Sequence, residues 1–165
     1  MTDGKQRLTV TKRKGEPTEG FTEEFAREVY NRCPIFQHRD FTEFFTTTKG
    51  FIEGEDRIEY LVKSEGKVKA SMAIIKETDM HVGECMSVLL ALSVDNGLLR
   101  DGYKVLIKVA KQLGVKFVAY TKDISEYESD TELDSGDLNE QCGGKMISQQ
   151  SSKIFNYHLT YRRVA

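Results

Sequence analysis

The sequence predicts an α/β fold of the α+β type, in which helices cover a mixed sheet of parallel and antiparallel strands. Residues 57–75 alternate apolar and polar side chains on either side of the turn KSEGK, which is typical of a β-hairpin. Residues 85–94, CMSVLLALSV, are apolar almost throughout, as expected of a central strand covered on both faces. An amphipathic helix and a further strand follow this run, and such a crossover makes its two strands parallel.

The first elements are a strand and a helix. Residues 7–13 alternate Leu8 and Val10 with polar neighbours, which predicts a half-buried strand. Apolar residues then recur every four positions after Thr22, which suits the N-cap of an amphipathic helix. We expect this helix to stop before Pro34, because the residue that precedes a proline avoids helical geometry.

A second, short helix is predicted over 40–45. Asp40 and Glu43 have the spacing of a capping box, with Asp in place of the usual Ser or Thr. Its apolar stripe is made of Phe41, Phe44 and Phe45. Core packing is the favoured interpretation of these aromatic side chains, and the wall of a substrate cleft is the alternative.

The helix that follows the apolar strand is predicted from spacing and end signals. Its apolar face comprises Leu99, Leu106, Val109, Ala110 and Leu113. Asp95 or Asn96 is expected to cap its start, and Gly114 suits the position just past its end. The stretch 76–84 before the apolar strand is predicted to be a turn, and 116–121 the next strand.

The last third of the chain changes character. Residues 123–140 hold eight acidic residues and no basic one, which predicts a solvated, flexible loop. A short strand, a turn at QSS (150–152) and a final strand over 155–162 then close the chain. The expected order is β-α-α-β-β-β-α-β, an irregular or helical acidic stretch, and β-β, in a single domain over 1–165.

Composition excludes several classes of protein. The net charge of −2 gives no overall attraction to nucleic acid or to an anionic membrane. Cys33, Cys85 and Cys142 are too widely spaced for a zinc site or a disulfide framework, so reduced thiols in a cytoplasmic protein are expected. The histidines are equally scattered, and no metal is predicted. Neither a signal peptide nor a membrane span is indicated.

The order of elements resembles the GNAT superfamily of N-acetyltransferases over nearly the whole chain. Local likeness is best in SVLLALSVDNGLLRDGYKVLIKVAKQLGVKFV and in the ending CGGKMIS…FNYHLTYRR. The resemblance implies that the backbone of 85–94 contacts acetyl-CoA and that the helix start near 96–103 holds its pyrophosphate. The implied cofactor-binding residues are Leu92, Val94, Gly97, Leu98, Arg100 and Gly102.

This chain departs from the pyrophosphate motif of that family, Q/R-x-x-G-x-G/A. If Gly97 is the first motif glycine, Leu99 takes the second small position and Val94 the Gln/Arg position. The other register uses Arg100 and Gly102, but the large Tyr103 follows Gly102. Glycine allows a phosphate to approach the backbone closely, so neither register restores the motif. A turn glycine at 97 and a close-packing glycine at 102 are the structural alternatives.

The resemblance also implies a catalytic base, and Glu84, at the start of the apolar strand, is the candidate. An acidic residue at a hairpin end is the alternative interpretation. The tyrosine that the family uses as an acid has no clear counterpart, because Tyr127 lies in the acidic stretch and Tyr120 on another element. Cys85 has no histidine at an informative spacing, so it is interpreted as packing.

Three functions follow from these observations. The first is transfer of an acetyl group from acetyl-CoA to an amine in the cytoplasm. The second is a non-catalytic GNAT-like protein that binds an assembly partner, such as a virion component of a tailed phage. The third, nucleic-acid binding, relies only on the basic stripe Arg100, Lys104, Lys108 and Lys111 and on Arg162 and Arg163, and an acidic chain disfavours it.

Overall fold

The structure, a computed structural model, describes residues 4–95, 97–123, 145–152 and 157–164. Its elements in chain order are β1 (Lys5–Lys12), α1 (Glu23–Arg32), a 3₁₀ turn (Pro34–His38), α2 (Phe41–Glu53), β2 (Arg57–Ser64), β3 (Lys67–Asp79), β4 (Gly83–Ser93), α3 (Arg100–Gln112), β5 (Phe117–Asp123), β6 (Lys145–Ser152) and β7 (Tyr157–Arg163). The acidic stretch predicted to be flexible lies, apart from Asp123, outside the described residues.

Within the described residues, the strands are ordered β1-β2-β3-β4-β5-β7-β6. The predicted mixed α/β fold is confirmed: β4 is the central strand of this order and pairs parallel with β5, while β1, β2 and β3 pair antiparallel. None of the helices in the described residues is long and apolar enough to cross a lipid bilayer.

Several predicted boundaries are wrong. Most of the expected turn over 76–84 is strand, because β3 continues to Asp79 and β4 begins at Gly83. The expected QSS turn is likewise the end of β6, which continues pairing with β7. Cross-strand hydrogen bonds outweigh the polar composition of both stretches, and the local sequence does not show them.

Most helix ends follow the predicted local signals, and α1 ends at Arg32, before Pro34, as predicted. Thr22 accepts a hydrogen bond from the Phe25 N–H (3.2 Å) and Asp40 one from the Glu43 N–H (2.8 Å), as N-caps do. Gly114 has φ +70° and ends α3 in a left-handed conformation, as predicted. Asp95 does not cap α3, since the helix begins only at Arg100, and Asn96, the alternative cap, lies outside the described residues. Helix α2 is longer than expected and reaches Glu53.

The chain divides into two compact units, and β3, β4 and α3 contribute residues to both. Unit 1 contains Met1–Ile75 and Leu89–Gly102, and unit 2 contains Lys76–Val88 and Tyr103–Ala165. A single domain over 1–165 therefore stays a prediction.

An aromatic cluster forms the core of unit 1. Phe44 is 1% exposed, and Phe21 lies with its ring centroid 5.9 Å from that of Phe44 and 5.7 Å from that of Phe45. Phe41 is half-buried and stacks on Phe45 at 5.8 Å. These contacts support the packing interpretation of the aromatic stripe. Leu89, Leu90 and Leu92 of β4 pack against this cluster and are only partly buried.

A buried ion pair fixes the connection from β1 to α1 in unit 1. The Arg57 Nε donates to the Glu59 carboxylate (2.6 Å), and both side chains are buried. Glu59 also accepts the Glu19 and Gly20 N–H groups, and Arg57 donates to the carbonyls of residues 13, 16 and 55. The pair is thus surrounded by hydrogen-bond partners, which offset the cost of burying two charges.

Unit 2 is built on the parallel pair and α3. Met86 is opposite Val118 in the register of β4 and β5, and Leu106 of α3 is 1% exposed. Leu113, predicted to lie on the apolar face of α3, is 55% exposed. This prediction is wrong because α3 ends at Gln112, and the chain turns away in a Schellman motif in which the Val115 N–H donates to the Ala110 carbonyl (2.9 Å).

Candidate functional site

The candidate site is the junction from β4 to α3, and Val94 is its first residue. Its side chain is buried, its N–H donates to the Lys69 carbonyl (3.0 Å), and its carbonyl accepts from the Arg32 guanidinium. The Arg32 side chain also lies 3.7 Å from the Asp95 carboxylate. Both backbone polar groups of Val94 are therefore engaged within the protein.

Gly97 and the two leucines after it form the turn before α3. Gly97 has φ +82° and is exposed, and nothing lies within 4 Å of the position that a Cβ would occupy. A side chain at that φ is strained, which explains the glycine as a turn residue. Leu98 is buried, and Leu99 is half-buried immediately before Arg100, the first helical residue.

The first turn of α3 contains its own anion. The carboxylate of Asp101 lies 3.5 Å from the Arg7 Nε, and a negative charge at a helix N-terminus interacts favourably with the helix dipole. The N–H groups of Arg100 and Gly102 donate to the carbonyls of Gly97 (3.4 Å) and Leu99 (3.0 Å). The Asp101 charge would repel a second anion at this helix start, and the N–H groups of Arg100 and Gly102 already have acceptors.

Gly102 faces the interior of unit 1. A Cβ there would lie 3.0 Å from both the Met72 Cε and the Tyr60 Cδ1. This supports the close-packing interpretation of Gly102. Burial, followed by the negative charge of Asp101, raises the pKa of the buried Tyr60 hydroxyl, which therefore stays protonated at neutral pH.

The remaining predicted cofactor residues differ in exposure. Leu92 is partly buried against the aromatic cluster of unit 1, whereas Arg100 is exposed. Val94 directly follows β4, Gly97 and Leu98 lie in the turn before α3, and Gly102 is the third residue of α3. The structure adds Arg7, Arg32 and Asp101, which sequence reasoning missed. The sequence shows an acidic residue just before Gly102, but it does not show that this residue pairs with one 94 positions earlier.

Glu84, the candidate base, is the second residue of β4 in unit 2. Its side chain is 56% exposed, and its carboxylate lies 3.4 Å from the Lys76 Nζ on the neighbouring strand. This arrangement fits the alternative interpretation of an acidic residue at a hairpin end. Its role as a base stays a prediction.

The other residues weighed for chemistry lie in unit 2 or outside the described part. The Tyr120 ring is buried with its centroid 5.2 Å from that of Tyr103, and Tyr127 is not among the described residues. Burial, and then the charges of Glu77 and Asp79, raises the pKa of the Cys85 thiol to about 11. Cys85 is therefore a neutral thiol at physiological pH and a poor nucleophile.

Known structures share this fold. An acetyltransferase of the GNAT family from Streptococcus pneumoniae is similar over 97% of this chain and 100% of its own, at 13% identity and a TM-score of 0.52. A spermidine/spermine N-acetyltransferase from Vibrio cholerae matches over 96% of this chain and 95% of its own, at 12% identity and a TM-score of 0.56. A putative acetyltransferase from Salmonella typhimurium, solved with acetyl-CoA, matches over 99% of this chain and 95% of its own, at 10% identity and a TM-score of 0.54. No family model and no curated protein matches the sequence.

The chain therefore has the GNAT acetyltransferase fold, as its element order predicted. Sequence identities this low show the fold alone. The residues of the junction do not fit a pyrophosphate, because Leu99 in one register and Tyr103 in the other stand where a small residue is needed, and Asp101 brings a like charge to the helix start.

Proposed function

We propose that this chain is a GNAT-fold protein that acts by binding a protein partner, and that it does not transfer acetyl groups from acetyl-CoA. The observation that carries the proposal is the Asp101 carboxylate in the first turn of α3, with Arg7 as its counter-ion. Helix N-termini attract anions through free N–H groups and the helix dipole. In this chain the Asp101 carboxylate already interacts with the dipole of α3.

Two further features support the proposal. The Val94 N–H donates to the Lys69 carbonyl and the Val94 carbonyl accepts from Arg32, so both backbone groups already have partners within unit 1. Glu84 pairs with Lys76 and is exposed, whereas a general base for an amine works best where solvent is limited. The tailed-phage origin and the virion role stay predictions within this proposal.

Calorimetric titration with acetyl-CoA tests it. We expect no binding heat with about 1 mM acetyl-CoA, a concentration that detects even weak affinity. Micromolar binding that is lost in Gly97→Ala or Arg100→Ala would overturn the proposal. As a matched control, Lys14→Ala removes one exposed cation elsewhere in unit 1.

Acetyl transfer to an amine is the second candidate, and a specific observation favours it. Gly97 is exposed with open space beside it, and the exposed cation Arg100 follows three residues later. In this alternative Glu84 accepts the amine proton and acetyl-CoA is the acyl donor. A monomer in solution that turns over acetyl-CoA with a polyamine would establish it, and loss of that turnover in Glu84→Gln would assign the base.

A further inference from the structure

Charge is strongly segregated along the chain. All 24 Lys and Arg residues lie outside 123–140, whereas eight of the 26 Asp and Glu residues lie within it. The stretch from Gly102 to Lys122 contains five lysines and no acidic residue. The net charge of −2 therefore conceals a basic surface, because the charge of a surface depends on where its residues lie.

The lysines of α3 lie on one exposed face in unit 2. Lys104, Lys108 and Lys111 are spaced by four and three residues, which places them on one side of a helix, and all are exposed. Lys116 is exposed just beyond the helix end, and the Val164 N–H donates to its carbonyl (2.8 Å), which brings the exposed Arg163 beside it. We call Lys104, Lys108 and Lys111 the α3 lysine surface.

This surface differs from the basic residues of unit 1, many of which pair with carboxylates. Lys12 lies 3.0 Å from Glu19, for example, and Lys49 lies 2.9 Å from Glu53. Ion pairs within the described residues do not include Lys108, Lys111 or Lys116. The neighbouring Leu113 side chain is 55% exposed, so an apolar group accompanies these cations.

We propose that the α3 lysine surface binds an acidic segment of a partner protein. Lys108 and Lys111, which form no ion pair within the described residues, attract carboxylates. Leu113 offers an apolar contact that an acidic polypeptide with interspersed apolar residues would cover. A nucleic-acid surface typically adds exposed aromatic residues for base stacking, and the described residues of α3 after Tyr103 contain no aromatic residue. Arg162, which sequence analysis grouped with this basic surface, is buried at 1% exposure and does not contribute to it.

This inference deepens the proposed binding function by naming the class of partner. A fluorescent peptide of alternating Glu and Leu is the probe, and its anisotropy is measured with the full chain at low and moderate salt. We expect binding that weakens at least about tenfold between the two salt concentrations, because exposed charges are screened. Lys108→Glu/Lys111→Glu should weaken binding by about tenfold or more, since it reverses two charges of the surface.

The control is Lys14→Glu/Lys67→Glu, which makes the same change of net charge on exposed residues of unit 1. Lys108→Gln/Lys111→Gln serves if the reversed variant does not fold. No binding by the wild type, equal loss in the control, or tighter binding of single-stranded DNA than of the peptide would each overturn the inference. Acetyl-CoA binding is measured separately, so a failed peptide titration and a failed proposal about the cofactor are distinguishable.

Discussion

Among the described glycines of unit 1, Gly20 has the least room for a side chain. A Cβ there would lie 2.1 Å from the Ser71 Oγ and 2.6 Å from the Leu61 Cδ2, and its N–H donates to Glu59 (3.0 Å). We expect Gly20→Ala to lower the free energy of unfolding by about 1–3 kcal/mol, because inserted atoms displace a packed core. Urea denaturation measures this.

Gly50 supplies the matched control for that substitution. It lies within α2, and nothing is within 4 Å of its Cβ position. Gly50→Ala should raise the free energy of unfolding by about 0.5–1 kcal/mol, because alanine is the better helix former. Equal effects of the two substitutions would contradict the close packing at Gly20.

We expect the Cys85 thiol to make the free energy of unfolding fall as the pH becomes alkaline. Its pKa is about 11 in the folded protein against 9.0 for an ordinary thiol, so its contribution is complete below pH 9.0 and is lost as pH rises through 11. The expected loss between these pH values is about 2 kcal/mol of unfolding free energy.

Comparison of variants isolates this thiol. In Cys85→Ala, the decline in unfolding free energy between pH 9.0 and 10 should become shallower, whatever the cost of the cavity. Cys33→Ala removes a half-buried thiol and should keep the decline of the wild type. A decline that is identical in both variants would show that Cys85 is not its source.

At the scale of elements, the β2–β3 hairpin has one unfavourable residue. Glu65 has φ +53° and Gly66 has φ +78°, the two positive angles of a type I′ turn. Glu65→Asn should stabilise the protein by about 0.5 kcal/mol, because Asn tolerates the left-handed conformation better than Glu. Glu65→Gln is the control and should change stability little; a gain of the same size there would refute this explanation.

At the scale of the whole molecule, the proposed lack of a cofactor site has a thermal consequence. A ligand present at about 100 times its Kd stabilises a protein by about 2.7 kcal/mol and raises its Tm by several degrees. We expect about 1 mM acetyl-CoA to leave the Tm unchanged, as measured by scanning calorimetry. A rise of several degrees would contradict the proposal and favour acetyl transfer.

The amino-acid sequence determined much of the fold because its signals are local. Alternation identified the β2–β3 hairpin, the apolar run identified β4 as central, and Thr22 and Asp40 marked two helix starts through contacts three residues away. The same element order predicted the GNAT fold. Boundaries were wrong where strand pairing extended β3 and β6 through polar residues.

Only the tertiary structure decided the state of the candidate site. The Arg32 guanidinium reaches a carbonyl 62 residues away, and Glu59 accepts the N–H of Gly20, 39 residues earlier. Asp101 pairs with Arg7 at a separation of 94 residues, and Gly102 packs on Met72 at a separation of 30 residues. Sequence spacing located the junction, but partners brought together by folding determine which of its polar groups are already engaged, and the chain alone does not reveal them.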